Sequence, residues 1–257
     1  MKIADKVVLI TGASDGIGAA CASVFRAKGA RLSLCGRSEH KLSSIAAPGD
    51  LTISADLAAP GTPQLLVNRT LERFGRIDIL ISNAGTGIYW PASQSPLSET
   101  RVMFEVNVFA PLALIQAALP HMRTGLIVNV GSIAGCVTLP WMPLYSASKA
   151  ALHAITEGLR MELAGSGVRT MLVCPGYVLT DFHAHSLGLS PPPKVVAAKR
   201  FAITPERCAR DIVSGVERDA RVVMSPRSGW LLDALHHLMP RAVEAVLITR
   251  NQSPKPI

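Results

Sequence analysis

VVLITGASDGIG, Val7–Gly18, is the stretch on which the fold turns. Val7–Thr11 is a short apolar run rich in β-branched residues, which predicts a strand covered on both faces. Glycines at 12, 16 and 18 follow at once, and "AACASVFRAKG" then reads as a helix that Gly29 ends. Glycine lets the chain turn tightly and lets an anionic ligand approach the backbone. The helix start adds N–H groups without intrahelical partners and the positive end of the helix dipole, a combination that suits a pyrophosphate. The spacing is G-x-x-x-G-x-G, not the commoner G-x-G-x-x-G. A glycine-rich turn is common anywhere. Placed between the first strand and first helix of a βαβ unit, it predicts a dinucleotide site formed by Gly12, Ser14, Asp15, Gly16, Ile17 and Gly18.

The alternation continues outward from this stretch. "RLSLC", "LTIS", "IDILIS", "GLIVNVGS" and "VRTMLVCPG" read as strands, and helical patterns lie between them. One of these, "SETRVMFEVNVFAPLALIQAALPHM", reads as a single long helix. Short apolar strands alternating with helices imply a parallel sheet covered on both faces, and right-handed crossovers make it doubly wound. The fold class expected is therefore α/β: a single-domain Rossmann-type doubly wound parallel sheet over residues 1–257. Residues 176–203 break the pattern with glycine, three consecutive prolines and scattered apolar residues, and are expected to form a lid over a substrate. Residues 228–250 read as a C-terminal helical extension, with Pro240 opening its second helix.

Composition agrees with one thick core: 257 residues, of which 49% are hydrophobic and 17% charged. The five cysteines are scattered without a C-x-x-C pair, so free thiols in a reducing compartment are expected rather than disulfides or zinc. The first residues are too short and too charged for a signal peptide. No apolar run approaches the roughly 20 residues of a spanning helix. A cytoplasmic protein is expected. The net charge of +8 is uneven, +3 over residues 1–193 and +5 over 194–257. Without interleaved aromatic and basic residues, nucleic acid is not an expected partner. An anionic membrane surface, an acidic carrier protein and an anionic cofactor remain open, beside ordinary solubility.

A second stretch carries chemistry. In "LYSASKAALHAI", Tyr145 and Lys149 stand four apart with small residues between them, so on a helix they share one open face. A phenol has an ordinary pKa near 10. Lowering it by ~3 units takes roughly 4 kcal/mol. A positive charge at ~4 Å supplies about that at an effective dielectric near 20. Lys149 is therefore expected to pull the Tyr145 phenol down.

In order from about Val7 to Thr180, the chain resembles the short-chain dehydrogenase/reductase family. "TGASDGIG" is similar to its cofactor loop, and "ADL", with Asp56 and Leu57, to its adenine-side residues. "NAG", Asn83, Ala84 and Gly85, resembles its strand-4 signature. Asn107 in "FEVNVFA" and Ser132 in "NVGSIAG" match its catalytic asparagine and serine, and "YSASK" its Tyr-x-x-x-Lys pair. "CPGYVLT", with Pro175, Gly176, Val178 and Thr180, resembles the segment that meets the nicotinamide carboxamide. The resemblance implies an oxidoreductase in which Tyr145 gives a proton to a carbonyl oxygen held by Ser132. It also implies that Lys149 binds the nicotinamide ribose and that Asn107 holds a water linking Lys149 to solvent. The bland alternatives are Ser132 as a strand-end cap and Asn107 as a helix-kink residue.

NAD-preferring relatives end strand 2 with an acid that accepts the ribose hydroxyls. Here Gly36 stands in that place and Arg37 follows, a planar cation suited to a 2′-phosphate, so NADP(H) is the cofactor expected. Asp15 opposes this unless it turns away. Tyr89, Trp90, Trp141, Met142, Tyr177 and Phe182 are the expected pocket walls, which points to a small hydrophobic carbonyl substrate, a long-chain 3-oxo compound among them. The alternatives are a 3-oxoacyl-carrier-protein reductase, an NAD(P)-dependent alcohol dehydrogenase and, from another class, a non-catalytic NADP(H)-binding sensor. "HAH" at His183–His185 lacks a carboxylate or cysteine cluster in sequence and is not read as a metal site. A homo-oligomer, dimer or tetramer, is expected through the long helix and the Tyr145 helix. The apolar faces of the extension, edged by His236, His237, Arg241 and Arg250, offer peripheral contact with a membrane.

Overall fold

The computed structural model describes residues 1–190 and 202–250. Its strands, in chain order, are β1 (Val7–Thr11), β2 (Arg31–Gly36), β3 (Leu51–Ser54), β4 (Ile79–Ser82), β5 (Ile88–Tyr89), β6 (Gly125–Val130), β7 (Val168–Pro175), β8 (Leu187–Gly188) and β9 (Val222–Ser225). The helices are α1 (Gly16–Ala27), α2 (Glu39–Ile45), α3 (Thr62–Phe74), α4 (Leu97–Phe104), α5 (Ala110–Ala118), α6 (Pro143–Glu162), α7 (Pro205–Glu217), α8 (Gly229–Leu238) and α9 (Pro240–Arg250). Seven strands form one parallel sheet in the order β3-β2-β1-β4-β6-β7-β9.

Every residue of β1, β4 and β6 is buried, because helices cover both faces of the sheet. Alternation along β1 divides the core. Val8 and Ile10 pack with Phe25 of α1 and Ile212 of α7, whereas Leu9 packs on the other face with Leu66 of α3 and Leu114 of α5. The chain runs outward from β1 to β3 and then returns to place β4 against β1. That reversal opens a crevice beyond the carboxyl ends of the strands, where ligands of such sheets bind. The glycine turn after β1, Asn83 after β4, Ser132 after β6 and Gly176 after β7 all emerge there.

Three expectations change. The long helix is interrupted by a π-helical segment, Glu105–Phe109, between α4 and α5. The 25-residue run Leu97–His121 also contains an 18-residue window of mean hydropathy 1.7, long and apolar enough to span a bilayer, contrary to the sequence expectation. Met103, Val108, Leu114 and Ile115 bury its inner face in the domain, as in the core helix of a globular protein. The described part of the irregular segment holds regular elements: β8 pairs with β5, residues 181–183 form a 3₁₀ turn capped by Thr180, and Val178 bridges to Ile203. Residues 191–201 of the expected lid lie outside the described residues.

The extension forms two helices as expected, yet no residue of α8 is buried, and Trp230, Leu231, Leu238, Val246 and Ile248 stay exposed. On the helices expected to meet another subunit, Val102, Phe109 and Met161 are likewise uncovered.

Phe25 is the anchor of the α1 face and has no exposed surface. Phe25→Ala should lower the free energy of unfolding in urea by about 3–5 kcal/mol, whereas Met161→Ala, at 70% exposure, should change it by no more than about 0.5 kcal/mol.

Candidate active site

The crevice holds a cavity of about 510 Å³ that runs from the glycine turn to residues 181–187. At one end, Gly12 and Gly16 adopt left-handed backbone, φ +63° and +53°, which only glycine takes without strain. Gly18 is required for a different reason. A Cβ there would lie 2.1 Å from the Gly12 carbonyl oxygen and 2.6 Å from Asn83 Nδ2. Gly18 thus makes the turn possible without lining the cavity, while Gly12, Ser14, Asp15, Gly16 and Ile17 do line it.

Asn83 fastens the turn to β4. Its Nδ2 donates to the carbonyl oxygens of Thr11 (3.0 Å) and Gly12 (3.2 Å), and its backbone N–H donates to Thr11 Oγ1. Asp15 caps α1 by accepting from the Gly16 N–H at 2.6 Å and pairs with Lys41 at 3.0 Å. Burial opposes its ionisation, but these bonds from Lys41 and Gly16 hold its carboxyl below the ordinary value. The repulsion that sequence reading assigned to Asp15 is thereby offset by a lysine from α2, a partner no local pattern reveals. Asp56 and Leu57, Ala84 and Gly85, and Pro175, Gly176, Val178 and Thr180 complete this part of the wall as expected. Thr180 packs on the turn, since a Cβ on Gly16 would meet its Cγ2 at 2.9 Å.

At the end of β2, a Cβ on Gly36 would lie 2.8 Å from Ser14 Oγ, so packing keeps any larger side chain away. Arg37 follows on the cavity rim, exposed, and its guanidinium has no hydrogen-bond or ion-pair partner among the described residues.

Ser132, Tyr145 and Lys149 converge in the middle of the cavity, all buried. Ser132 is a cap, as its bland alternative held, its Oγ accepting from the Ala134 N–H at 3.1 Å, and it also lines the cavity with Tyr145. Lys149 donates to the Val130 carbonyl at 2.9 Å, and its Nζ stands 5.8 Å from the centre of the Tyr145 ring. The expected lowering of the phenol is absent. Burial pushes Tyr145 up to about 12, against an opposing hydrogen bond from Ser132. Lys149 goes the other way, down to about 8, because burial penalises its ammonium. Desolvation outweighs the attraction that was expected to dominate.

Asn107 sits in the π-helical segment, fully buried, and does not line the cavity. Its Nδ2 donates to Thr86 O (2.8 Å) and Ser148 Oγ (3.0 Å), and its Oδ1 accepts from Thr86 N (2.9 Å). Both amide protons are committed, so its side chain pins the loop after β4 to α6. It stands at the kink that sequence reading offered as the bland alternative.

Tyr89, Trp141, Met142, Tyr177 and Phe182 line the pocket as expected, but Trp90 does not. Its indole N–H donates to Glu99 at 3.0 Å and its ring closes over Gly188. The sequence reading missed Val102, Val106, Leu139 and Leu187, the first two on the long helix and the last in the expected lid. It also missed His183 and His185 as cavity residues. His183 stacks on Tyr177, with ring centres 4.6 Å apart, and its Nδ1 hydrogen-bonds Tyr89 Oη. Phe182 leans on the Tyr145 ring at 5.5 Å, so the 3₁₀ turn reaches the reacting group directly.

Residues 6–187 match the profile of the short chain dehydrogenase family. The chain is 36% identical over 194 residues to mouse "Dehydrogenase/reductase SDR family member 7B", covering 70% of this chain and 60% of that protein, so it spans under two thirds of the relative's length. Among solved structures it is similar to a short chain dehydrogenase/reductase from Burkholderia phymatum in complex with NAD, with a TM-score of 0.82, 26% identity and 100% and 99% of the two chains covered. It is also similar to a short chain dehydrogenase from Burkholderia cenocepacia in complex with NADP, with a TM-score of 0.81, 29% identity and 99% and 100% covered. With the profile spanning most of the chain, and with the glycine turn and the Ser132–Tyr145–Lys149 set on one cavity, the chain belongs to the short chain dehydrogenase family.

Proposed function

We propose that the protein reduces a hydrophobic ketone with NADPH, with Tyr145 as the general acid. The observation that carries this reading is the single cavity on which Ser132, Tyr145 and Lys149 meet at the middle while Arg37 and the glycine turn stand at one end. The residues fit a dinucleotide: Gly12 and Gly16 take backbone conformations that leave the turn bare, and the first turn of α1 opens onto the cavity. A bound nicotinamide supplies the hydride.

The chain's own residues do the rest. The Tyr145 phenol, at about 12, keeps its proton through the neutral range, the state needed to give it to a carbonyl oxygen. Ser132 Oγ stands beside it to hold that oxygen. Lys149, protonated below about 8, places a cation next to the phenolate that proton transfer leaves behind.

The choice of NADPH rests on the rim. The Arg37 guanidinium has no partner among the described residues, a side chain on the neighbouring Gly36 would crowd Ser14, and Lys41 neutralises Asp15. Charge-assisted bonds to one phosphate are worth about 1.5–3 kcal/mol. Arg37→Ala should therefore raise the KM for NADPH by about tenfold to a hundredfold and leave that for NADH within about twofold. Equal losses for both cofactors in steady-state assays would refute the preference.

The substrate class rests on the opposite end, where Tyr89, Val102, Leu139, Trp141, Met142 and Phe182 give an apolar wall. Each methylene buried there is worth about 0.8 kcal/mol. Across a series of ketones and 3-oxoacyl thioesters, kcat/KM should rise about three- to fourfold per added methylene until the cavity is filled. A flat or falling series, measured by NADPH oxidation, would point instead to a compact polar carbonyl.

A further inference from the structure

Behind the turn that carries Ser132 lies a second cluster that the proposed reaction does not use. Cys136 ends the 3₁₀ turn Ile133–Gly135, His153 stands one turn beyond Lys149 on α6, and Cys174 is next to last in β7. Cys136 Sγ lies 3.9 Å from His153 Nδ1 and Cys174 Sγ lies 3.8 Å from His153 Nε2. The ligating atoms of all three residues fall within 4.8 Å of one another. None of the three lines the cavity.

The imidazole is held by the shape of its surroundings. A Cβ on Gly131 would come within 2.3 Å of His153 Nε2, and one on Gly135 within 2.5 Å of its Cε1. The Ser132 N–H donates to Nε2 at 3.4 Å, so the turn wraps the ring from the cavity side. Cys136 and His153 are half-buried, which leaves an approach for an ion, while Cys174 is buried. The Asp233 carboxylate of α8, which pairs with His237 at 3.5 Å, opposes ionisation of both thiols. The other three thiols, Cys21, Cys35 and Cys208, are buried and belong to no such group among the described residues.

Two sulfurs and one imidazole nitrogen are the donor set of a borderline-soft ion that accepts tetrahedral geometry. Zn–S bonds of about 2.3 Å and Zn–N bonds of about 2.0–2.1 Å bring sulfur and nitrogen to about 3.5 Å. The two sulfurs approach different ring nitrogens, of which the ion would use one, so the span of up to 4.8 Å among the three ligating atoms would close toward that value on binding. We propose that Cys136, His153 and Cys174 bind one zinc ion through two thiolates and one imidazole. This reverses the sequence reading of the cysteines as isolated buried thiols. The ion would tie the Ser132 turn, α6 and β7 together from behind and stands independently of the cofactor and substrate assigned above.

The test uses the full chain without a histidine tag, stripped of metal and kept reduced with a phosphine. Zinc is titrated in competition with a chromophoric chelator, and cobalt is followed by its absorption spectrum. One zinc per chain is expected, with a thiolate-to-cobalt charge-transfer band, and both should be lost in Cys136→Ser and in His153→Gln. Absence of uptake by the reduced protein would overturn the proposal. So would uptake unchanged in Cys136→Ser, which would place the ion elsewhere, for instance on His183 and His185. Should the variants fail to fold, alkylation of the wild-type protein decides. Zinc should slow the labelling of Cys136, mapped by mass spectrometry, at least tenfold, and an unchanged rate would overturn the assignment.

Discussion

The structure depends on a close backbone approach at the point where the sheet reverses its strand order. Gly18 must lie against the Gly12 carbonyl with no side chain between them, and Asn83 must reach both Thr11 and Gly12 from the end of β4. Thr11 Oγ1 in turn accepts from the Asn83 and Ala84 N–H groups and donates to Ile81 O. These contacts set the angle at which α1 leaves the sheet and the width of the crevice beside it. A larger residue at 18 would separate α1 from the turn and shift every group that shares the cavity.

Burial is the second constraint, and it sets the chemistry of the site. The apolar wall of the cavity strips water from Tyr145 and Lys149. It raises the phenol to about 12 and lowers the ammonium to about 8. The pair is thus poised with its proton on the tyrosine, and the lysine is close to giving up its charge. Charges in so dry a place interact strongly with anything that arrives, which is how one cation 5.8 Å from the ring can matter once a phenolate forms.

Much of this was legible in the sequence because it is local. The alternation of apolar runs and helical patterns yields the parallel sheet, and Tyr145 and Lys149 share a face by their spacing alone. What escaped depends on contacts between distant segments. Lys41 neutralises Asp15 across 26 residues, and Trp90 is drawn to Glu99 instead of the pocket. The direction of the Tyr145 shift was misjudged because it depends on how completely the fold excludes water, which spacing does not encode. Cys136, His153 and Cys174 stand 17 and 21 residues apart, without the short repeat that marks a metal site in sequence, and only the packing of β7 against the Ser132 turn and α6 brings them together. His183 and His185 joined the cavity for the same reason, through the pairing of β8 with β5.

The central claim is that the Tyr145 phenol gives the proton during reduction, and single-turnover mixing of Tyr145→Phe with NADPH and a hydrophobic ketone tests it most directly. The account predicts NADPH binding at the wild-type affinity, with hydride transfer slowed by about 10²–10⁴. Transfer within about tenfold of the wild-type rate would contradict it and would mean that the proton comes from another group.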